Sequence, residues 1–489
     1  MLEDSGLGTP WDAPELDPAL RPLMRRLAEV LDANRERNRS LEAYYAGDVP
    51  LKNLGIAVPE DNAFFVLSKV RVDCDWAAIA VDRLADRSML DGFVCASAEL
   101  GDELAAIAPR ITRLYRSNLP IALVHGCSFW TVGRGAHGMP PVVVHAHSAT
   151  SASAIWDETR DEVLAGMAVV GKGWNRSYTR CAPNKVDLHT RDAVVEFTRP
   201  DVDRDEWHCV ALPHPAGRPL MEPLCYRADT RWRFGHSRIS RQVRKICDSM
   251  MRENLRVEVA SELNVLPQKY AFGLTPEQYD ALDSDRFRNA VGALMMAASD
   301  EEDARKVTVG QFPQVSLQPH IDIKRDLAAD FSGVTGVPMS ELGVTHDNPS
   351  SAEAIEAAEK PLVTLCEHMN ADMAQSLGNV ARLMLAVRRD CAVDALPEGA
   401  RSVAARFKDP AMPSLSASTD RAIKIVSAAP EYVQTEEFWV DVGKDADARR
   451  SIMGDFRRRQ AREGATAVLD RNRGSGDGAE RPGGGEVPR

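Results

Sequence analysis

At 489 residues with 44% hydrophobic content, the chain has room for several modules with real cores, which excludes disorder along its whole length. A formal net charge of −12 argues against a general nucleic-acid coat, although local basic faces can still touch phosphates. Nine single cysteines without a CxxC pair fit reduced thiols, with neither disulfide nor zinc expected, and the absence of an apolar leader or of 18 consecutive apolar residues argues against secretion and membrane spanning.

Residues 17–46 read as a helix with Leu20, Leu23, Leu27, Val30, Leu31, Leu41 and Tyr44 on its apolar face and Gly47 as a C-terminal stop. A second helix is expected around "DWAAIAVDRLADR", with Trp76, Ile79, Ala80 and Leu84 on one side. From about Leu119 to Trp232 the pattern turns to short β-rich runs such as "PIALVHGCSFWTV", "PPVVVHAH", "AVVEF" and "WHCVAL", separated by turn residues.

Three motifs in this region resemble chemistry. "GRGAHG", Gly133 to Gly138, matches GxGxxG after a strand, but "MPPVVV" follows where a dinucleotide site needs a helix, so a hairpin turn is expected. "GMAVVGKG", Gly166 to Gly173, has the spacing of a phosphate loop, yet Gly173 stands where a magnesium-binding hydroxyl is required and the apolar interior reads as a strand. A nucleotide-binding enzyme built on Gly133–Gly138 or Gly166–Gly173 is the rival reading these motifs keep open. His145 and His147 form an HxH pair without a third ligand nearby, so strand histidines rather than a metal site are expected. No nucleophile motif such as GxSxG occurs, and nothing demands an enzyme or a cofactor.

Helical texture returns at Ser237. At about 100° per residue, Ile239, Val243, Ile246, Met250 and Val257 cluster on one side, while Arg238, Arg241, Lys245, Arg252 and Arg256 cluster about a third of a turn away, which predicts one dry and one cationic face. Residues 263–318 mix short strands with an acidic segment, and "IDIKRDLAADF" gives another short helix. "GVTHDNPSSAEAIEAAEK" then passes from turn residues into a helix start, where Ser350 and Glu353 have the spacing of a capping box. Ile355, Leu362, Cys366, Met369, Met373, Val380 and Met384 extend one stripe to about Val387, with Pro361 expected to kink it. A final helical segment runs to about Leu469, and the Gly-rich end, 471–489, is expected to be disordered.

Four stretches together resemble the portal proteins of tailed bacteriophages, particularly those of phages of actinobacteria. They are "LEAYYAGDVPLKNLGIAVP" (41–59), "DWAAIAVDRLADRSMLDGF" (75–93), "FGHSRISRQVRKICDSMMRENLRVEVASELNVLPQKYAFG" (234–273) and "FSGVTGVPMSELGVTHDNPSSAEAIEAAEKPL" (331–362). Asp73 and Lys269 depart from residues common at those places in the family. The resemblance implies an α+β portal-type subunit in a ring, usually a dodecamer, at one capsid vertex. It implies a wing over 1–237, a first stem helix over 238–262, a clip over 263–318 and a second stem helix over 319–336. A tunnel loop over 337–350 would follow, then the wing's long helix and strands over 351–429 and a helical crown over 430–470. Val344, Thr345, His346, Asp347 and Asn348 would project into a channel for double-stranded DNA. Implied partners are other copies of the chain, the terminase large subunit, a head-to-tail adaptor, and capsid and scaffolding proteins, with no membrane. The implied location is the virion, after assembly in the host cytoplasm.

Overall fold

A computed structural model of the chain describes residues 9–49, 73–174, 181–200, 206–265, 269–275, 277, 280, 294–298, 307–311, 313, 316–343, 351–411 and 415–474. Two compact units divide at Ala405/Arg406.

In the first unit, helix α1 (Arg21–Tyr45) turns Met24, Leu27 and Leu31 toward a meander of five antiparallel strands, because steps of three and four keep them on one face. Helix α2 (Trp76–Arg87), strand β1 (Leu90–Val94) and helix α3 (Ala98–His125) follow, then β2 (Cys127–Arg134) and β3 (Val142–Ser148). The meander is β4 (Ala152–Asp157), β5 (Glu162–Trp174), β6 (Cys181–His189), β7 (Ala193–Thr198) and β8 (His208–Pro213), in that spatial order. Alternation along these strands sends Ala165, Met167, Val169, Val186, Leu188, Val195 and Phe197 to the α1 side, where Trp11 and Leu16 close the core. Each such large side chain contributes roughly 1.5–3 kcal/mol on burial. Strand β9 (Met221–Cys225) joins β2 and β3 in a second antiparallel sheet, ordered β3-β2-β9. Phe129 and Met221 of that sheet pack with Ala154, Val163 and Ala168 of the meander.

Helix α4 (Arg241–Val265) then leads to a small mixed sheet, in which β10 (Lys269–Leu274) runs parallel to β11 (Leu294–Ala298) and antiparallel to β12 (Thr308–Gln311). Helix α5 (Gln318–Thr335) returns along α4, and helix α6 (Ala352–Arg389) crosses β2 and β9. The second unit contains α7 (Leu415–Ala428), α8 (Glu436–Asp441) and α9 (Ala446–Gly474).

The apolar stripe of α6 is buried from Leu362 through Cys366, Met369, Met373, Val380 and Met384, as its period requires. Ile355 departs from it: at 51% exposure it lies before the first packed turn, so period alone overstates the stripe. The helix is continuous through Pro361. A larger departure is α3, which takes up Pro120–His125, the first part of the run "PIALVHGCSFWTV" expected to be β-rich. Leu100, Leu104, Ile111, Tyr115 and Leu119 recur on one buried face, and Leu100 and Leu104 pack on Ala381 and Leu385 of α6. That burial outweighs Pro109 and Pro120, and Gly126 ends the helix in the left-handed region at φ 98°. At the other end of the chain, α9 is helical to Gly474, so 471–474 belong to a helix and not to the expected disordered end; 475–489 lie outside the described residues.

One glycine motif ends a strand and turns, and the other is strand. Gly133 and Arg134 pair with Val143 and Val142, and the Gly135 amide donates to the Pro141 carbonyl at 3.1 Å, closing the β2–β3 hairpin. Gly166–Gly173 is β5 throughout, with Gly166 opposite His189 and Gly171 opposite Lys185. A Cβ at Gly135 would overlap the Pro140 carbonyl, whereas a Cβ at Gly133 meets nothing within 4 Å. Gly135→Ala is therefore expected to cost about 1–3 kcal/mol in a urea titration and Gly133→Ala much less. Equal effects of the two would contradict the hairpin account.

Candidate functional site

Helices α4 and α5 face each other, and the segment between α5 and α6 carries the predicted loop. On α4, Arg241, Lys245, Arg252 and Arg256 share one face, spanning an arc of about 60° at 100° per residue. Arg241, Lys245 and Arg256 are exposed, and Arg256 pairs with Glu253 at 3.0 Å. Arg252 is half-buried and donates to the Ser249 hydroxyl at 2.9 Å.

Arg238 does not belong to that face. It precedes the helix, so helical spacing does not govern its direction, and it is only 7% exposed. Its Nε donates to the Ala80 carbonyl of α2 at 3.1 Å, one Nη to the Tyr226 hydroxyl at 3.4 Å, and the other Nη to the Thr335 carbonyl at the end of α5. Burial pushes its pKa down from the ordinary guanidinium value.

Farther along, Glu253 of α4 is buried and accepts hydrogen bonds from His320 of α5 and from Arg256. Burial alone would raise its carboxyl, but those two donors outweigh it and hold the group below 4.5. This pair fastens the middle of α4 to the start of α5.

The loop is bounded by fixed ends. A 3-10 turn, Met339–Leu342, ends at Gly343 with φ 77°. Glu341 in this turn meets Arg83 at 2.9 Å and Arg87 at 3.7 Å, and Arg87 also meets Glu359 of α6 at 2.9 Å. Two arginines of α2 thus hold both flanks. Val344, Thr345, His346, Asp347, Asn348 and Ser350 lie outside the described residues. The helix cap falls one residue later than expected: Ser351, with extended backbone at φ −61° and ψ 158°, accepts from the Ala354 amide at 3.2 Å. Of two adjacent serines, the one immediately before the first helical residue caps; Glu353 still lies in the first turn, where its charge suits the helix dipole.

His145 and His147 line a cavity of about 560 Å³ together with Asp187, His189 and His214. Among the described residues no group of three or more His, Cys, Asp or Glu is placed to hold a metal ion. The imidazole of His189 is buried with neither ring nitrogen bonded to protein, and burial pushes its pKa down to about 3, helped by His147 and His214. His147 is pushed down to about 4 by burial and by His145. Burial pushes Asp187 the other way, up to about 6. Among the described residues no helix is long and apolar enough to cross a membrane.

The family model described as phage portal protein, SPP1 Gp6-like, matches residues 25–431, a span that includes α4, α5, the loop and α6. The portal protein of Mycobacterium phage L5 is 23% identical over 453 residues, covering 87% of this chain and 86% of that protein. That of Mycobacterium phage D29 is 24% identical over 442 residues, with coverage of 87% and 86%. Among solved structures, a chain in the virion of a native gene transfer agent particle is 13% identical, with a TM-score of 0.41, covering 83% of this chain and 93% of that one.

Two outcomes follow from the site. Arg238→Gln leaves buried carbonyls without donors at roughly 1–3 kcal/mol each, whereas Arg241→Gln with Lys245→Gln should stay within about 0.5 kcal/mol; chemical denaturation of the two variants compares them directly. For pH, the lowered imidazole values of His147 and His189 mean that the unfolded chain takes up protons first. Their contribution is complete above an ordinary histidine pKa of 6.5 and is lost as pH falls toward 4. Asp187, raised from 3.8 to about 6, acts in the opposite sense and offsets part of the loss. The midpoint of thermal unfolding should drop over that range and drop less in His189→Gln; an unchanged slope would acquit the imidazole.

Proposed function

The chain belongs to the phage portal protein family, SPP1 Gp6-like, and its function is that of a phage portal; from that premise we propose how its parts divide the work. About twelve copies close into a ring at one capsid vertex, assembled in the host cytoplasm and retained in the virion, with double-stranded DNA passing through the centre. The α4–α5 pair serves as the stem, the three-stranded sheet between them as the clip, and residues 1–237 with α6 as the wing. The clip receives the terminase large subunit and later the head-to-tail adaptor, while capsid and scaffolding proteins meet the wing. On this reading neither glycine motif serves a nucleotide: Gly166–Gly173 lies in β5, and Gly133–Gly138 passes from β2 into the β2–β3 hairpin.

The observation that carries this reading is that Glu341 and Glu359, on either side of the predicted loop, are both tied to α2 through Arg87. Flanks fixed in this way let the sequence between them vary without moving the helices, which suits a part that touches moving DNA. Repetition around a ring would turn the exposed Arg241 and Lys245 into a cationic belt, while the net charge of −12 keeps the whole from holding DNA still.

Native mass spectrometry tests the ring: a 53.7 kDa subunit predicts particles of roughly 640 kDa for twelve copies, and a monomer at assembly concentrations would refute it. Replacing "VTHDN" (344–348) with Gly/Ser of equal length, keeping Ser351 and Arg87, should leave particle mass unchanged and reduce packaged genome length or yield. Unchanged packaging would make the segment a connector only.

A further inference from the structure

Helix α9 is held at its base and left open beyond it. Arg449 is 3% exposed; it meets Glu436 at 3.4 Å and donates to the Lys444 carbonyl at 2.6 Å, and Glu436 also receives Arg406 at 2.6 Å. Ile452, Met453 and Phe456 are half-buried. From Arg457 through Thr466 every residue is exposed, so this stretch buries no face of its own.

Its charge is predominantly basic, and every cation is an arginine. Residues 446–474 contain eight arginines, no lysine and four acids in a chain whose net charge is −12. Arg450 and Arg458 are each met by an aspartate three residues earlier, Asp447 and Asp455. Among the described residues, Arg457, Arg459 and Arg462 meet no carboxylate. At 100° per residue Arg457, Arg458, Arg462 and Arg459 cover an arc of about 200°. An acidic protein surface would engage one stripe of such a helix. A duplex groove presents phosphates on two walls, and the major groove is about 12 Å wide, enough to admit a helix with cations on both flanks. Guanidinium forks match phosphate oxygens in a way that ammonium groups do not.

We propose that Arg457, Arg459 and Arg462 form a phosphate-backbone contact for double-stranded DNA, separate from the basic face of α4. The polyanion's identity rests on the portal reading; the cationic helix does not. The contact is independent of base sequence, because arginines spread along the helix flanks reach backbone on both sides of a groove.

The test uses the full chain, a labelled random duplex of about 30 base pairs and fluorescence anisotropy between about 50 and 200 mM salt. In R457Q/R459Q/R462Q, affinity at low salt should fall at least about tenfold, and the slope of log affinity against log salt should shrink by about 0.9 for each lost phosphate contact, so by roughly 3. The matching Lys triple variant should keep most of the slope. An unchanged affinity and slope in the Gln variant would overturn the proposal, as would equal competition by polyglutamate, which would mark a surface for acidic protein instead. Particle mass is read on the same samples. Loss of rings in the wild-type chain would count against the portal assembly, while normal rings with unaltered DNA binding in the Gln variant would count against this contact alone.

Discussion

One buried guanidinium holds together the place where the sheet-rich part of the first unit gives way to its helix pair. Arg238 reaches α2, Tyr226 beyond β9 and the end of α5 with its side chain, and its amide donates to the Leu123 carbonyl of α3 at 2.8 Å. Carbonyls and a hydroxyl meet it, which spreads the desolvation of one charge over several dipoles. A planar group with five donors fixes direction as well as distance, so α4 leaves the sheets along one path. Backbone packing delivers it there. Gly235, at φ 72°, leaves no room for a Cβ beside the carbonyls of Gly126 and Tyr226, and the His236 amide closes on the Tyr226 carbonyl at 2.8 Å.

The same device, an arginine bridging elements, recurs with different consequences. Arg87 is mostly buried and meets carboxylates on either side of the loop, so the loop's ends are set by α2 and not by the loop's own sequence. Glu222 does comparable work for α6: buried in β9, it accepts from Arg218 at 2.7 Å and from Asn379 of α6. Burial raises its carboxyl, with Arg218 and Asn379 pulling the other way, so the group is tuned by the helix that lies over it. The helix is thus held over the sheet in its second half, at Asn379, and capped by Ser351 at its start.

What could be read from sequence depended on whether the cause was local. Helices α1, α2 and α6 and the two glycine hairpin and strand segments were legible because repeated apolar steps and turn residues act within a few positions. Helix α3 was not, since Pro109 and Pro120 argue locally against a helix that burial against α6 then stabilises; the recurrence of Leu100, Leu104, Ile111, Tyr115 and Leu119 was the available signal. Arg238 looked like a member of the cationic face because helical period was extended three residues too far. Its partners lie 12, 97 and 158 residues away, and no window on the sequence contains them. The Glu253–His320 pair, 67 residues apart, was hidden for the same reason. Arg241, Lys245, Arg252 and Arg256 did fall on one face, because there the spacing rule applied within a real helix.

Burial therefore sorts the cations of this acidic chain into two populations with different physics. Arg238 and Arg449 lie where water and ions do not reach, so salt leaves their contacts nearly untouched. Arg241, Lys245, Arg457, Arg459 and Arg462 are exposed, and at about 0.15 M salt a screening length of about 8 Å confines each to what it touches directly. A chain arranged in this way can let go of a polyanion as ionic strength rises while its helices stay where they are. That separation would serve the DNA contacts proposed above, because internal cohesion and grip on a polyanion fall to different residues and answer to different conditions.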